Sequence, residues 1–367
     1  MIYDVIILGA GPSGLYLAQK LRQQFNHHLT ILILEKNGYV GGRTRQIDFF
    51  GELINTGAGV GRVKKDHHLL SMQKRLDRDI HKWRSRIGYD GFLPVPMKRI
   101  LRRLQKMYRR DVHRSLTFQQ FFLLYYSIEE WKRFCWTNGY TDFVDADIED
   151  TLFDYGFEDN LPGAEFFRVE WNKMMEKLAE GLDIRFHHES RVFRYHNKCY
   201  TVETMNGNRY RARVLVVAGF LHPSLPSFIH EQIRPQPFLR AYRHFKKAVQ
   251  LHEPVIHNRS ESQKQIQVTD HIIMTAYCDN DNARHYVKRH KNTDHSVVFY
   301  REIGTHYYRP LSVTMMMTRT EFIDKAQNPE PNLFVIGEMI SQNQGWTEGA
   351  FDSVHRIYRK LCSVLSS

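Results

Sequence analysis

The strongest constraint on this chain is the spacing of three glycines behind an apolar run near its start. Val5, Ile6, Ile7 and Leu8 read as a buried parallel strand, Gly9, Gly11 and Gly14 as a turn, and Leu15, Leu17, Ala18 and Leu21 as the inner face of a helix. Each glycine has its own reason to be there. Gly9 permits the tight turn, Gly11 lets backbone amides approach a pyrophosphate, and Gly14 lets the helix lie close on the strand. The helix start then points its free amides at the phosphates. A second apolar strand, Thr30 to Leu34, ends in Glu35, 21 residues past Gly14, where a carboxylate can accept hydrogen bonds from a ribose. Together these predict a dinucleotide-binding βαβ unit.

Composition limits what is built around that unit. A chain of 367 residues, 42% hydrophobic and 13% aromatic, holds about two ordinary domains with real cores. No stretch reaches the roughly 18 consecutive apolar residues of a membrane span. The first strand begins too close to Met1 for a signal peptide, so the expected location is cytoplasmic. Cys135, Cys199, Cys278 and Cys362 lie far apart without a C-x-x-C, which points to free thiols and to no metal site. Charge is uneven. Between Arg62 and Arg114 stand 17 Lys plus Arg and 5 Asp, a net of +12 that equals the excess of the whole chain.

Gly41, Gly42, Arg43 and Thr44 follow the second strand directly, and here the sequence resembles the flavin-containing amine oxidase family. In that family a G-G-R segment follows the ribose-binding acid, with its Arg set against the FAD pyrophosphate. The resemblance implies FAD as cofactor. It extends to Asn55–Gly61 (NTGAGVG), where the family carries a turn against the flavin, making Gly57, Ala58 and Gly59 candidate contacts beside Gly9, Gly11, Ser13, Gly14, Glu35, Lys36, Gly42 and Arg43. Near the end, NLFVIGE (332–338) and QGWTEGA (344–350) are similar to the family's closing pattern, a strand ending in G-E and then a helix start facing the flavin pyrimidine. Gly337, Glu338, Trp346, Thr347 and Ala350 carry over. A helix dipole with free amides suits the negative charge of reduced flavin. The family often continues S-G, whereas this chain has Ser353 and Val354.

Between these segments the chain leaves the cofactor domain twice. The expected architecture is α/β, a Rossmann-like FAD-binding domain of the GR2 type with an inserted α+β substrate domain. Its FAD-binding parts are 1–62, 181–220 and 331–367, with a helical excursion at 63–180 and a β-rich one at 221–330. In the first excursion Leu69, Leu70, Met72 and Leu76 predict one helix, and Ile100, Leu101, Leu104, Met107 and Tyr108 another. The second carries Lys98, Arg99, Arg102, Arg103, Lys106, Arg109 and Arg110 on its other face, which is either solvated, paired with acids or a polyanion contact. Eight acids between Asp142 and Asp159 either neutralise it or line an entrance for a cationic substrate. Leu116–Trp136 is aromatic on several sides and predicts a buried helix pair. Strands are expected at 183–186, 191–195, 199–204, 209–213 and 214–218, with Val192 as the family's adenine contact. In the second excursion they are expected at 248–251, 272–277, 296–300 and 312–317.

The resemblance implies a reaction as well. Hydride passes from the carbon next to a neutral amine to flavin N5, the imine hydrolyses, and O2 reoxidises the flavin to H2O2. Trp346 is one expected wall of the pocket, and Tyr307 or Tyr308 another. Many members place a Lys near N5, for which Lys264 is the candidate. Members with covalent FAD use a Cys shortly before the last strand, and this chain has none between Asp279 and Leu361, so FAD is expected to be non-covalent. The same framework serves desaturase-like enzymes. A flavoprotein with a structural or polyanion-binding role is the alternative from another class.

Overall fold

The structure is a computed structural model that describes residues 1–26, 28–311 and 317–366. Its organising strand is β1 (Tyr3–Leu8), apolar and buried from Val5 onward because helices cover both faces of its sheet. On one side β1 pairs in parallel with β2 (Ile31–Leu34), and on the other with the strand Arg209–Ala218. The strand Leu333–Ile336 adds in parallel to Arg209–Ala218, and Asp183–Arg185 closes the far side beyond β2. One sheet is therefore assembled from three separated stretches of chain. The strands expected at 209–213 and 214–218 are one continuous strand. Its first half pairs with a meander (Ser190–His196, Cys199–Thr204) and its second with β1.

Helix α1 (Pro12–Gln24) and the C-terminal helix Thr347–Ser366 pack on one face, with Leu15, Leu17, Phe351, Val354 and Leu361 in a single core. That last helix runs beyond Tyr358 because Leu361 and Leu365 extend its buried stripe.

The two excursions form one roof. Its six-stranded sheet runs in the order Ser296–Tyr308, Ile233–His244, Ile272–Asp279, Lys264–Gln267, Val255–His257 and Ile87–Tyr89, the last strand coming from the first excursion. The strand expected at 248–251 is absent. Gln267 takes over its backbone instead, accepting from Leu251 N and donating to Val249 O, both at 2.9 Å. Of the strand expected at 312–317, residues 312–316 lie outside the described residues.

The aromatic stretch forms the helix pair Phe118–Leu123 and Ile128–Asn138, each begun by a capping box (Thr117 with Gln120, Ser127 with Glu130). Phe118, Phe122, Phe134 and Phe143 are fully buried between them and their surroundings.

Helix α2 (His67–Leu76) precedes the basic helix α3 (Met97–Met107), which buries Met97, Ile100 and Leu104. The acidic run does not neutralise α3. Asp147 and Asp150 pair with Arg319, Glu158 and Asp159 with Lys65, Asp159 also with Arg62, and Glu149 with Arg110. Arg109 pairs only with exposed Asp111. Lys98, Arg99, Arg102, Arg103 and Lys106 form no ion pair among the described residues. They border a surface cleft of about 830 Å³ with Tyr89, Val95, Pro96 and Leu161.

Candidate cofactor and substrate site

The three glycines of the first turn divide by what surrounds them. A side chain at Gly9, where φ is +114°, would meet Ala218 O at 2.7 Å, and one at Gly14 would meet Gly9 O at 2.1 Å. At Gly11 the same atom meets nothing within 4 Å. Gly9 and Gly14 are required by the fold, whereas Gly11 guards open space. Ser13 is buried in the first turn of α1. Glu35 is buried and holds the loop: Oε2 accepts from Ala10 N at 2.8 Å, and Oε1 accepts from Asn37 N and Nδ2. Lys36 beside it is exposed, and Val192 is half-buried.

A second wall rises opposite Gly11. A side-chain atom at Gly42 (φ +55°) would lie 3.8 Å from Gly11 Cα. The following hairpin, β3 (Gln46–Phe49) and β4 (Glu52–Asn55), returns the chain so that Gly57 presses on Arg43, where a Cβ would meet Arg43 O at 1.9 Å. Ala58 N donates to the same carbonyl at 2.8 Å. The Arg43 guanidinium donates to Gly304 O at 3.0 Å, Gly219 O at 3.2 Å and the Glu338 carboxylate. Glu338 also bonds His306 Nδ1 at 2.7 Å. Burial pushes the Glu338 carboxyl up, but Arg43 and His306 outweigh it and hold the group down at about 2. Gly337 sits against Gly219, with room for no Cβ.

At the closing segment the Trp346 ring lies 3.9 Å from the Arg62 guanidinium, which Asp66 and Asp159 hold in place. Thr347 opens the C-terminal helix and Ala350 is buried on it. Glu348 plays a part that its motif alone does not reveal. Its carboxylate accepts from His68 N at 2.7 Å and Leu69 N at 3.0 Å, capping the start of α2. His68, Glu348 and Asp352 offer ligand atoms within 4.8 Å of one another, but both Glu348 oxygens are engaged by those amides.

Over the cradle stands a wall from the roof sheet. Phe238, Arg240 and Tyr242 alternate onto one side of the strand Ile233–His244, and Tyr242 OH donates to Asn55 O at 2.7 Å. The Arg240 guanidinium lies against Gly59, where a Cβ would come within 2.8 Å of Nη2. It also covers the Tyr277 ring at 4.1 Å. Tyr277 meets Tyr140 at 5.3 Å and Phe238 at 5.9 Å, so the ring against the guanidinium belongs to a cluster of three half-buried rings. Sequence reasoning missed this wall. Its only signal is the polar and aromatic alternation of FLRAYRH, which reads equally as an exposed strand face.

A family model described as an NAD(P)-binding Rossmann-like domain matches residues 7–76. Among solved structures, a triple mutant from a redesign of cofactor binding in putrescine oxidase superposes with a TM-score of 0.73 at 14% identity, covering 98% of this chain and 99% of that one. The wild type of that study, bound to putrescine, gives 0.72 at 15% identity with 99% of both chains covered. The fold is that of putrescine oxidase.

Within this putrescine oxidase fold the expected residues fall into two groups. The structure brings Gly9, Gly11, Gly14, Gly42, Arg43, Gly57, Ala58, Gly59, Gly337 and Glu338 into one strip. Tyr308 is not a wall of it. It shares the side of its strand with His306 but stands at the strand's end, where it is buried in the core against Phe322 and Arg319 with its OH donating to Ser341 O at 3.1 Å. Lys264 is buried with Nζ 3.1 Å from the centre of the Tyr140 ring and 3.4 Å from Asn160 Oδ1. The side chain against Gly59 is Arg240. Burial holds the Lys264 ammonium well below the usual lysine value, with Asp142 and Asp279 pulling the other way.

The strip fits a dinucleotide on its donor chemistry. Arg301 Nε and His306 Nε2 are buried without a hydrogen-bond partner among the described residues, and Arg301 reaches toward Gly42 O and Thr56. The unsatisfied Arg301 guanidinium beside open backbone glycines suits a diphosphate-bearing ligand.

Proposed function

We propose that this chain is an FAD-dependent oxidoreductase acting on an amine. FAD, when bound, accepts a hydride from the carbon next to the amine nitrogen and is reoxidised by O2 to give H2O2. What carries the reading is the strip from Gly11 to Glu338, open at Gly11 and faced by unsatisfied donors. The glycines of both turns would hold the diphosphate, Glu35 the adenosine ribose, Glu338 the ribityl chain, and the start of the C-terminal helix the pyrimidine edge. FAD would be held without a covalent bond, since the sequence has no Cys between Asp279 and Leu361. Trp346, Tyr277, Tyr140 and Phe238 exclude water and position the substrate's donor carbon. Lys264, whose ammonium burial holds well below the usual lysine value, can hold or release a proton behind Tyr140.

The purified protein tests this directly. A yellow chromophore that bleaches anaerobically with an amine, and recovers with peroxide on admitting air, is the expected result. A chromophore indifferent to amines together with salt-sensitive nucleic-acid binding would replace it with a polyanion-binding flavoprotein, the reading that the unpaired cations of α3 favour.

A further inference from the structure

Arg240 is 5% exposed, yet no carboxylate among the described residues pairs with it. Its one bond to protein is from Nη1 to Tyr242 OH at 3.4 Å, and its Nε has no partner. The acids nearest the cluster are already committed. Asp279 accepts from Thr141 N, Thr141 Oγ1 and Gln263 Nε2, and Asp142 accepts from Tyr155 OH. Lys264, the other basic group of the cluster, supplies no anion. A buried guanidinium without a counter-ion is costly unless something else supplies the charge. Here it stands over Gly59 and against Tyr277, whose ring packs with Tyr140 and Phe238.

We propose that Arg240 is the carboxylate-binding residue under the roof sheet, so that the substrate is an amine that also bears a carboxylate and an apolar body, not a diamine. This rests on the reading of the space between roof and cradle as the amine site. The planar fork of a guanidinium takes both oxygens of a carboxylate, and the three rings cover the rest of the molecule. A second ammonium, as in putrescine, would be brought against a fixed cation in a low-dielectric pocket. Arg240 is thus a specificity-determining residue.

The test is calorimetric binding of phenylacetate, which cannot be oxidised as an amine, to the purified holoprotein, with putrescine as the contrasting probe. Wild type should bind phenylacetate, and putrescine should neither bind nor displace it. Arg240→Met should weaken phenylacetate by about 100-fold, the order expected for losing a buried charged hydrogen-bond pair, with an unchanged or raised melting temperature. Arg240→Lys, which keeps the charge and loses the fork, should weaken it by about 10-fold and serves if the Met variant fails to fold. Equal binding by wild type and Arg240→Lys overturns the proposal. Displacement of phenylacetate by putrescine also overturns it, and so does loss of FAD from Arg240→Met with phenylacetate binding intact, which would assign the guanidinium to the cofactor. Protein purified without FAD sinks the cofactor reading alone, whereas FAD-bound protein that ignores phenylacetate sinks this inference alone.

Discussion

The cradle and the roof solve different problems. In the cradle, backbone contacts decide: Gly9 against Ala218, Gly14 against Gly9, Gly57 against Arg43 and Gly337 against Gly219 each leave no space for a Cβ. In the roof, side-chain charge decides, through Arg240, Lys264, Asp142 and Asp279 buried together among tyrosines. Steric exclusion admits one residue type and leaves a sharp mark in a sequence. Buried charge can be balanced in many ways and leaves a faint one.

The comparison breaks most sharply at the glycines. Gly14→Ala should destabilise the protein by about 4 kcal/mol or more, since the new atom meets a carbonyl that cannot move without the strand. Gly11→Ala should cost at most about 1 kcal/mol and instead lower FAD content. Urea unfolding paired with flavin absorbance separates the two, and equal stability losses would refute the division.

Glu338→Gln comes next, at about 3 kcal/mol, because it leaves Arg43 and His306 without their shared anion. Its effect has a pH signature. The folded value near 2 lies below that of an unfolded glutamate, so the contribution is complete above the ordinary value of about 4.3 and is lost as pH falls toward 2. The variant's acid unfolding curve should be flatter across that window.

Smaller is the effect expected for Lys264→Met. The unfolded chain binds a proton that the folded lysine resists, so between the lowered folded value and the ordinary one of about 10.4 the wild type gains stability as pH rises. The variant should lose that slope and be about 1 kcal/mol more stable at neutral pH. Stability curves at several pH values check it, and a less stable variant would mean that Lys264 is paired after all.

The smallest change in stability is expected on α3. Replacing Arg99, Arg102 and Arg103 together by Glu should shift unfolding by about 0.5 kcal/mol or less, as their side chains are exposed and unpaired. Heparin retention measured on the same variant shows whether that face grips polyanions.

This ordering mirrors what could be read in advance. Gly9, Gly14, Arg43 and Glu338 are legible because their motifs record close backbone approaches and a buried ion pair. Glu348 is visible in its motif, but its work on α2 depends on a contact across 280 positions. Tyr308 differs from expectation because aromatic character does not tell a pocket wall from a core side chain at the end of a strand. Arg240 was passed over for the opposite reason: an arginine in a strand ordinarily faces water, and only the roof closing over Gly59 buries it. The expected strand at 248–251 fails on local grounds, since one glutamine side chain satisfies its backbone.

The strand order has a consequence for how the molecule is made. Arg209–Ala218 is flanked in the sheet by β1, which is synthesised well before it, and by Leu333–Ile336, which is synthesised well after it. During translation β2 is at hand at once, but the strand on the other side of β1 comes much later, and Glu338 reaches Arg43 later still. Long-range pairings of this kind close late and slowly. The cofactor strip is then among the last features to become whole, and a nascent chain would acquire affinity for its dinucleotide abruptly, not in stages.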